Sequence, residues 1–305
     1  MFGQPGWRRC LRYLAIPVAL LASLSYATGE KRDPMIQERV YDHLDRMDAA
    51  VSFGNKAEAV ACAEMVLLKR DITVYVDDSE VPASLKDVAS RAIQNAATNW
   101  EDSLQSGINI RFVPRFAADV IVKYAGNVKY EGNEAAGTVR WSRGVLDLGS
   151  GQYDYKVTAS ITLRTHTPNG SMMNYSQMLH TAGHELGHVL GLEDTSKVGD
   201  LMGPLKLNKP VERATRHEID SLNEVRQRAE IVLNRITDSG DGIAEALAEE
   251  SRAQVLSGPV KSIELHETHR RITVDGRFDT PVRSAVRDRK APKRTKKSAF
   301  SGLAG

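Results

Sequence analysis

Apolar residues along this chain change period several times, and each change marks an element. Val40, Leu44 and Met47 recur at spacings of four and three, the period of one helix face, and predict mostly helix from Asp33 to Arg70. Phe53-Gly54-Asn55 interrupts that run, and Ala57 to Lys69 resumes it. Ile72 to Val76 alternates into a short strand. Pro82 then opens a long helix to about Gln105, because proline's missing N–H costs nothing in a first helical turn; Gly107 ends it. Ile108 to Val113 and Ala118 to Tyr124 read as strands, residues 126–137 as a glycine-rich polar loop, Thr138 to Trp141 as a short strand, and Tyr155 to Leu163 as the last strand of this run. After a turn-rich stretch at 166–174, a helix is expected from about Tyr175 to Leu190, with Gly191 in the usual helix-ending position. Thr215-Arg216-His217-Glu218 is a capping box that opens another helix, reaching about Ile236.

Periodicity weakens after that point. Asp238-Ser239-Gly240-Asp241-Gly242 reads as a linker, Ile243 to Val255 as a short helix, and Val260 to Val274 as a region holding two small strands. The order of strand, helix, strands and helix predicts a layered arrangement of α and β elements. No internal repeat is visible.

Charge is uninformative in total, at +2, but not in its distribution. Residues 1–27 carry three basic and no acidic side chains, and residues 281–297 carry eight basic and one acidic; the rest of the chain is acidic, with 30 basic against 38 acidic. Arg8, Arg9 and Arg12 before the apolar run Leu14 to Leu24, followed by Ser25-Tyr26-Ala27, read as a signal peptide over 1–27, cleaved after Ala27. An uncleaved anchor is the competing reading, although the run is short for a span of about 20 residues. The expected organisation is then 28–70 as an N-terminal helical segment, 71–236 as the main domain, 237–280 as a small C-terminal region and 281–305 as a basic, disordered tail. An exported chain makes nucleic acid an improbable partner; the tail is either simply solvated or contacts an anionic surface. Of two cysteines, Cys10 would leave with the signal, so Cys62 is left without a disulfide partner.

The chemistry is concentrated in His184-Glu185-Leu186-Gly187-His188. Residues four apart share a helix face, so His184 and His188 can aim two imidazoles at one ion, with Glu185 placed as a general base for a metal-activated water. Gly191 permits a sharp turn after the helix, and Asp194 lies where the returning chain can supply a third ligand. Leu201-Met202-Gly203-Pro204 follows.

Together these residues resemble the metzincins, zinc peptidases whose extended signature is H-E-x-x-H-x-x-G-x-x-H followed by a methionine-containing turn beneath the metal. Leu201-Met202-Gly203-Pro204 looks like the Met-turn of the matrixin branch, and Ala118-Asp119-Val120-Ile121-Val122 like a matrixin central strand. The resemblance covers roughly 70–225. The third ligand position is Asp194 rather than histidine, as in snapalysin-type enzymes. It implies an α+β, zincin-like fold, a twisted mixed sheet packed on two long helices with the active-site helix followed by a glycine turn, a Met-turn and a C-terminal helix. The same resemblance implies a secreted zinc (Zn2+) endopeptidase acting on protein or peptide, with Glu185 catalytic, His184, His188 and Asp194 on the metal, and Gly191 and Met202 shaping the site. It also implies a sheet-edge strand that pairs with extended substrate, here Gly137 to Trp141 with Gly137, Thr138 and Val139 nearest the site, and a pocket wall from Gly203 to Lys209 with Leu205 and Leu207 apolar.

Other readings stay open on sequence alone. Glu193 could replace Asp194; Glu212 or Glu218 could serve in a gluzincin-type arrangement; the fold could be a non-catalytic binding module. His180 reads as a neighbour of the site rather than a ligand, and His266-Glu267-Thr268-His269, with the wrong spacing, as a solvated segment. Cys62 is either a buried helix residue or a latency thiol lacking the usual Pro-Arg-Cys-Gly context, and 28–70 either a propeptide or integral helices. An aspartate ligand cancels one charge at the metal and should leave the bound water less acidified than three histidines would. Asp194→His is therefore expected to move the acid limb of the activity–pH profile to lower pH; an unshifted limb would contradict this.

Overall fold

The computed structural model describes residues 32–105, 107–238, 262–263 and 266–273. The expected signal peptide at 1–27, the helix at 243–255 and the basic tail at 281–305 lie outside the described residues, as does the linker beyond Asp238. Among the described residues the fold is mixed: five α-helices and an eight-stranded mixed sheet.

The N-terminal region forms α1 (Glu38–Ser52) and α2 (Lys56–Leu67). Val40, Leu44 and Met47 bury one face of α1, as their spacing implies. Asn55 starts α2 by accepting the Glu58 N–H. Strand β1 (Ile72–Asp77) follows, and after a 3-10 turn beyond Pro82 comes α3 (Lys86–Ser103). Strands β2 (Ile110–Phe112) and β3 (Val120–Ala125) lie parallel to β1 on either side. In β3, Val120, Val122 and Tyr124 are buried while Lys123 is exposed, and the Tyr124 hydroxyl donates to the Ala89 carbonyl of α3. One face of the sheet therefore packs on helix and the other meets water.

The expected loop at 126–137 is instead β4 (Val128–Tyr130) and the start of β5 (Asn133–Gly149). Glu131 and Gly132 turn the chain between them with positive φ at both positions, the backbone of a two-residue hairpin turn. Strand β5 is far longer than the stretch Thr138–Trp141 expected. It pairs antiparallel with β6 (Gln152–Arg164) through a second two-residue turn, Ser150-Gly151, again with both φ positive. Ala135, Ala136 and Gly137 read as loop because they are small, but all three are buried. They are small because the core approaches the strand there.

The sheet runs β2-β1-β3-β6-β5-β4, with β6 parallel to β3. Helix α4 (Tyr175–Leu190) packs on α3 and across β5 and β6; α5 (Arg216–Asp238) packs on α2. Two further strands, β7 (Ser262–Ile263) and β8 (His266–Thr273), pair antiparallel with the outer edge of β5. The segment His266-Glu267-Thr268-His269, expected to be solvated, is thus in a sheet. No helix among the described residues is long and apolar enough to cross a membrane.

Residues 35–37 are tied to the end of α4 and the turn that follows it. Ile36 bridges Leu192, the Gln37 N–H donates to the Gly191 carbonyl, and the Glu193 N–H donates to the Met35 carbonyl. The Gln37 side-chain amide, 1 % exposed, also donates to the carbonyls of His188 at 3.0 Å and Leu192 at 2.9 Å. α1 and α2 share one core with the rest of the described chain. Cys62 lies in that core, on α2. Gln37→Leu removes both buried side-chain bonds and should lower stability by about 1–3 kcal/mol in chemical denaturation; an unchanged midpoint would mean that this tie carries no load.

Candidate metal centre

Helix α4 begins with a reciprocal cap. The Asn174 side chain accepts the Gln177 N–H at 3.0 Å, and the Gln177 side chain accepts the Asn174 N–H at 3.0 Å. From Gln177 to Leu190 every residue is buried, so this helix has no solvated face. Its last turn ends at Gly191, whose φ of +115° is rarely adopted by a side-chain-bearing residue. A Cβ there would also lie 2.9 Å from the Val40 side chain. The chain then doubles back and brings Asp194 over the helix.

His184, His188 and Asp194 each present one possible ligand atom, and the three lie within 4.8 Å of one another. The Asp194 Oδ1 is 3.1 Å from His184 Nε2 and 3.3 Å from His188 Nε2. Both imidazoles are oriented from behind. His184 Nδ1 is 2.9 Å from the Leu201 carbonyl, and His188 Nδ1 is 2.9 Å from the Leu192 carbonyl. A carbonyl oxygen can only accept, so each Nδ1 must carry the hydrogen. In a neutral ring that puts the lone pair on Nε2, and both Nε2 atoms are directed at the same Asp194 Oδ1, the orientation metal-ligating histidines require. Burial would raise the Asp194 carboxyl, but His188 and His184 beside it outweigh that effect and hold it well below the usual carboxylate range. Two imidazole nitrogens and a carboxylate oxygen, converging with no competing protein donor on the buried His188 Nε2, could hold a metal ion.

Glu185 is fully buried, and neither carboxylate oxygen has a protein partner. Burial, and next the charge of Asp194, push its pKa well above the ordinary range. It faces β5: a Cβ on Gly137 would come within 2.5 Å of Glu185 Oε1 and 2.8 Å of Thr181 Cγ2. Gly137 is therefore glycine because the general-base candidate occupies its side-chain space.

Met202 lies against the helix, its sulfur in the space a Gly187 Cβ would need; the Trp100 ring closes the same space at 3.1 Å. Glu218 secures the stretch carrying Met202. One carboxylate oxygen accepts the Met202 N–H at 2.6 Å, and the other accepts the N–H and hydroxyl of Thr215 at 2.6 and 2.8 Å. Among the described residues the ligand group contains neither Glu193, Glu212 nor Glu218. His180 is fully buried and stacks on His184 at 6.3 Å between ring centroids; burial, and then His184, lower its pKa to about 3. Leu205 is buried in the core, and Leu207 packs partly buried against it.

Thr138 and Val139 lie on β5 beside Gly137, but the edge expected to be open there is paired: Gly137 with Ile272, Thr138 with Arg271 and Val139 with Arg270. Three supporting residues escaped sequence reasoning. Gln37 clamps the turn. Trp100 donates its indole N–H to the Gly183 carbonyl at 2.8 Å. Arg143, fully buried on β5, donates to the Val189 carbonyl at 2.7 Å, and desolvation lowers its pKa to about 10. An arginine at the negative end of α4 is electrostatically well placed, but only the fold brings it there.

Comparison of the sequence with protein-family models and with curated proteins finds no match. Gly137→Ala forces Glu185 or β5 to move and should cost about 1–3 kcal/mol of stability, leaving metal affinity within a few-fold; a variant as stable as the parent in thermal denaturation would contradict this packing.

Proposed function

We propose that the chain is a zinc-dependent endopeptidase of the metzincin kind, matrixin-like, with Asp194 as third ligand. The observation that carries this reading is the convergence of His184 Nε2, His188 Nε2 and Asp194 Oδ1 beside a buried carboxylate that has no other partner. The nitrogen–oxygen donor set suits zinc, and three protein ligands fit a catalytic rather than a structural site. Zinc bound there supplies Lewis-acid polarisation of water and of a peptide carbonyl.

The protein's own groups complete the reaction. Glu185 is the proton carrier: its oxygens take a proton from water and return it to the leaving amine nitrogen. Burial makes that carboxylate a better base than an exposed one. The Leu201 and Leu192 carbonyls keep His184 and His188 in the tautomer that leaves Nε2 free. Gly191 and Met202 support the reading through the turn and the packing beneath the helix. The downstream-glutamate alternative has less support, because both oxygens of Glu218 already accept hydrogen bonds. The arginine-led apolar N-terminus favours export of this enzyme, and the basic end of the chain favours contact with an anionic surface.

Zinc content and hydrolysis of unfolded casein, compared for wild type, Glu185→Ala and Asp194→Ala, test the proposal. Glu185→Ala should keep stoichiometric zinc and lose about 10²–10⁴-fold in rate. Asp194→Ala should lose both zinc affinity and rate. A fully loaded, fully active Asp194→Ala protein would overturn the ligand assignment, and a zinc-loaded wild type without hydrolysis would favour the binding-module reading.

A further inference from the structure

The outer edge of β5 passes the candidate centre at Gly137, where the strand packs against Glu185. A strand paired to that edge lies one ladder spacing, about 5 Å, from it. In the structure that place is taken by the chain itself. β8 runs antiparallel along β5 from His266 opposite Arg143 to Thr273 opposite Ala135, with Ile272 opposite Gly137, and it packs on α4. A register shift between Ala135 and Gly137 marks where the ladder passes the site.

We infer that residues 266–273 are a releasable occupant of the substrate groove, so that the full chain guards its own site until this strand leaves the β5 edge. The inference rests on the peptidase reading for the identity of what is excluded, but not for the pairing itself. Three features make β8 separable. It is the outermost strand along this stretch of β5, so its departure breaks no other strand pair among the described residues. Its sequence, His-Glu-Thr-His-Arg-Arg-Ile-Thr, has one large aliphatic residue in eight, a composition that offers little apolar surface to bury. In the sequence 23 residues separate Asp238 from Ser262, and a chain of that length, at up to about 3.5 Å per residue, does not itself fix β8 against β5. A tethered occupant acts at high effective concentration, and the apparent affinity of any free peptide falls by the fraction of time the groove is open.

The test uses the full chain carrying Arg270→Pro and Arg271→Pro. Adjacent residues point their N–H groups to opposite sides, so the pair removes a ladder donor whichever way the strand faces. The probe is a fluorescent peptide of sequence HETHRRIT, with binding read by anisotropy in the Glu185→Ala background. The prolines should tighten binding about ten-fold and speed amide hydrogen exchange at Gly137–Arg140 by ten-fold or more. With Glu185 intact, KM for an extended peptide should fall about ten-fold with kcat unchanged. Equal peptide binding with and without the prolines, or unchanged exchange at Gly137–Arg140, overturns the inference.

A second variant guards against misfolding of the first. Thr138→Cys with Arg271→Cys joins two register partners. Oxidation should abolish peptide binding and tris(carboxyethyl)phosphine should restore it; binding unaffected by oxidation, once the cross-link is verified by mass, also overturns the inference. Tighter peptide binding in the proline variant with no hydrolysis by any form upholds the occupied groove while overturning the peptidase reading.

Discussion

The structure around the candidate centre depends on one constraint: α4 is buried on every side from Gln177 to Leu190, yet it carries His180, His184, Glu185 and His188. Polar groups held out of water must find partners or cost several kcal/mol. The surrounding chain answers most of that demand. Leu201 and Leu192 supply carbonyls to two imidazoles, and Val211 meets the third. What the protein leaves unanswered on this helix is the Nε2 of His180 and of His188 and both oxygens of Glu185; the His188 and Glu185 atoms are the ones beside Asp194. There the unmet polar demand and the candidate chemistry coincide.

Asp194 arrives there because the chain after α4 is held from several directions. Gly191 provides the turn, and the N-terminal residues 35–37 pair with 191–193 across it. Thr195 donates to the Met202 carbonyl, and Glu218 in turn receives the Met202 N–H. A helix end, an N-terminal extension and the start of α5 thus meet around one loop. The N-terminal helices consequently bear on the geometry of the centre through backbone hydrogen bonds, a contribution that a reading of 28–70 as a separable propeptide would not require.

The sheet contributes in a different way. β5 must pass close enough to α4 that Gly137 has no room for a Cβ, and under the proposed peptidase reading this proximity makes its outer edge the place for an extended peptide. An exposed strand edge is a liability as well as a binding surface. Pairing with β8 answers the first problem and, on the inference drawn above, regulates the second.

The local features were legible in the sequence because they rest on short-range chemistry. The limits of α4, the stop at Gly191, the capping box at Thr215 and Glu218, and the shared face of His184 and His188 all follow from spacings of three or four residues and from glycine's freedom at positive φ. Strand β5 was not legible between residues 133 and 137: its small residues resemble a loop until the helix they must accommodate is in place. Gln37, Trp100 and Arg143 were equally invisible, because each acts on α4 from a distant part of the chain and has no local pattern to announce it. β8 was legible as a strand, within Val260 to Val274, but its partner on the outer edge of β5 was not, because that pairing joins segments far apart in the chain. The sequence by itself determined which residues could bind a metal ion and move a proton. Only the tertiary structure decided that Asp194 meets the two histidines, that Glu218 is committed to holding the loop, and that the edge beside Glu185 is already paired, because those outcomes depend on contacts between segments that the chain's local chemistry does not join.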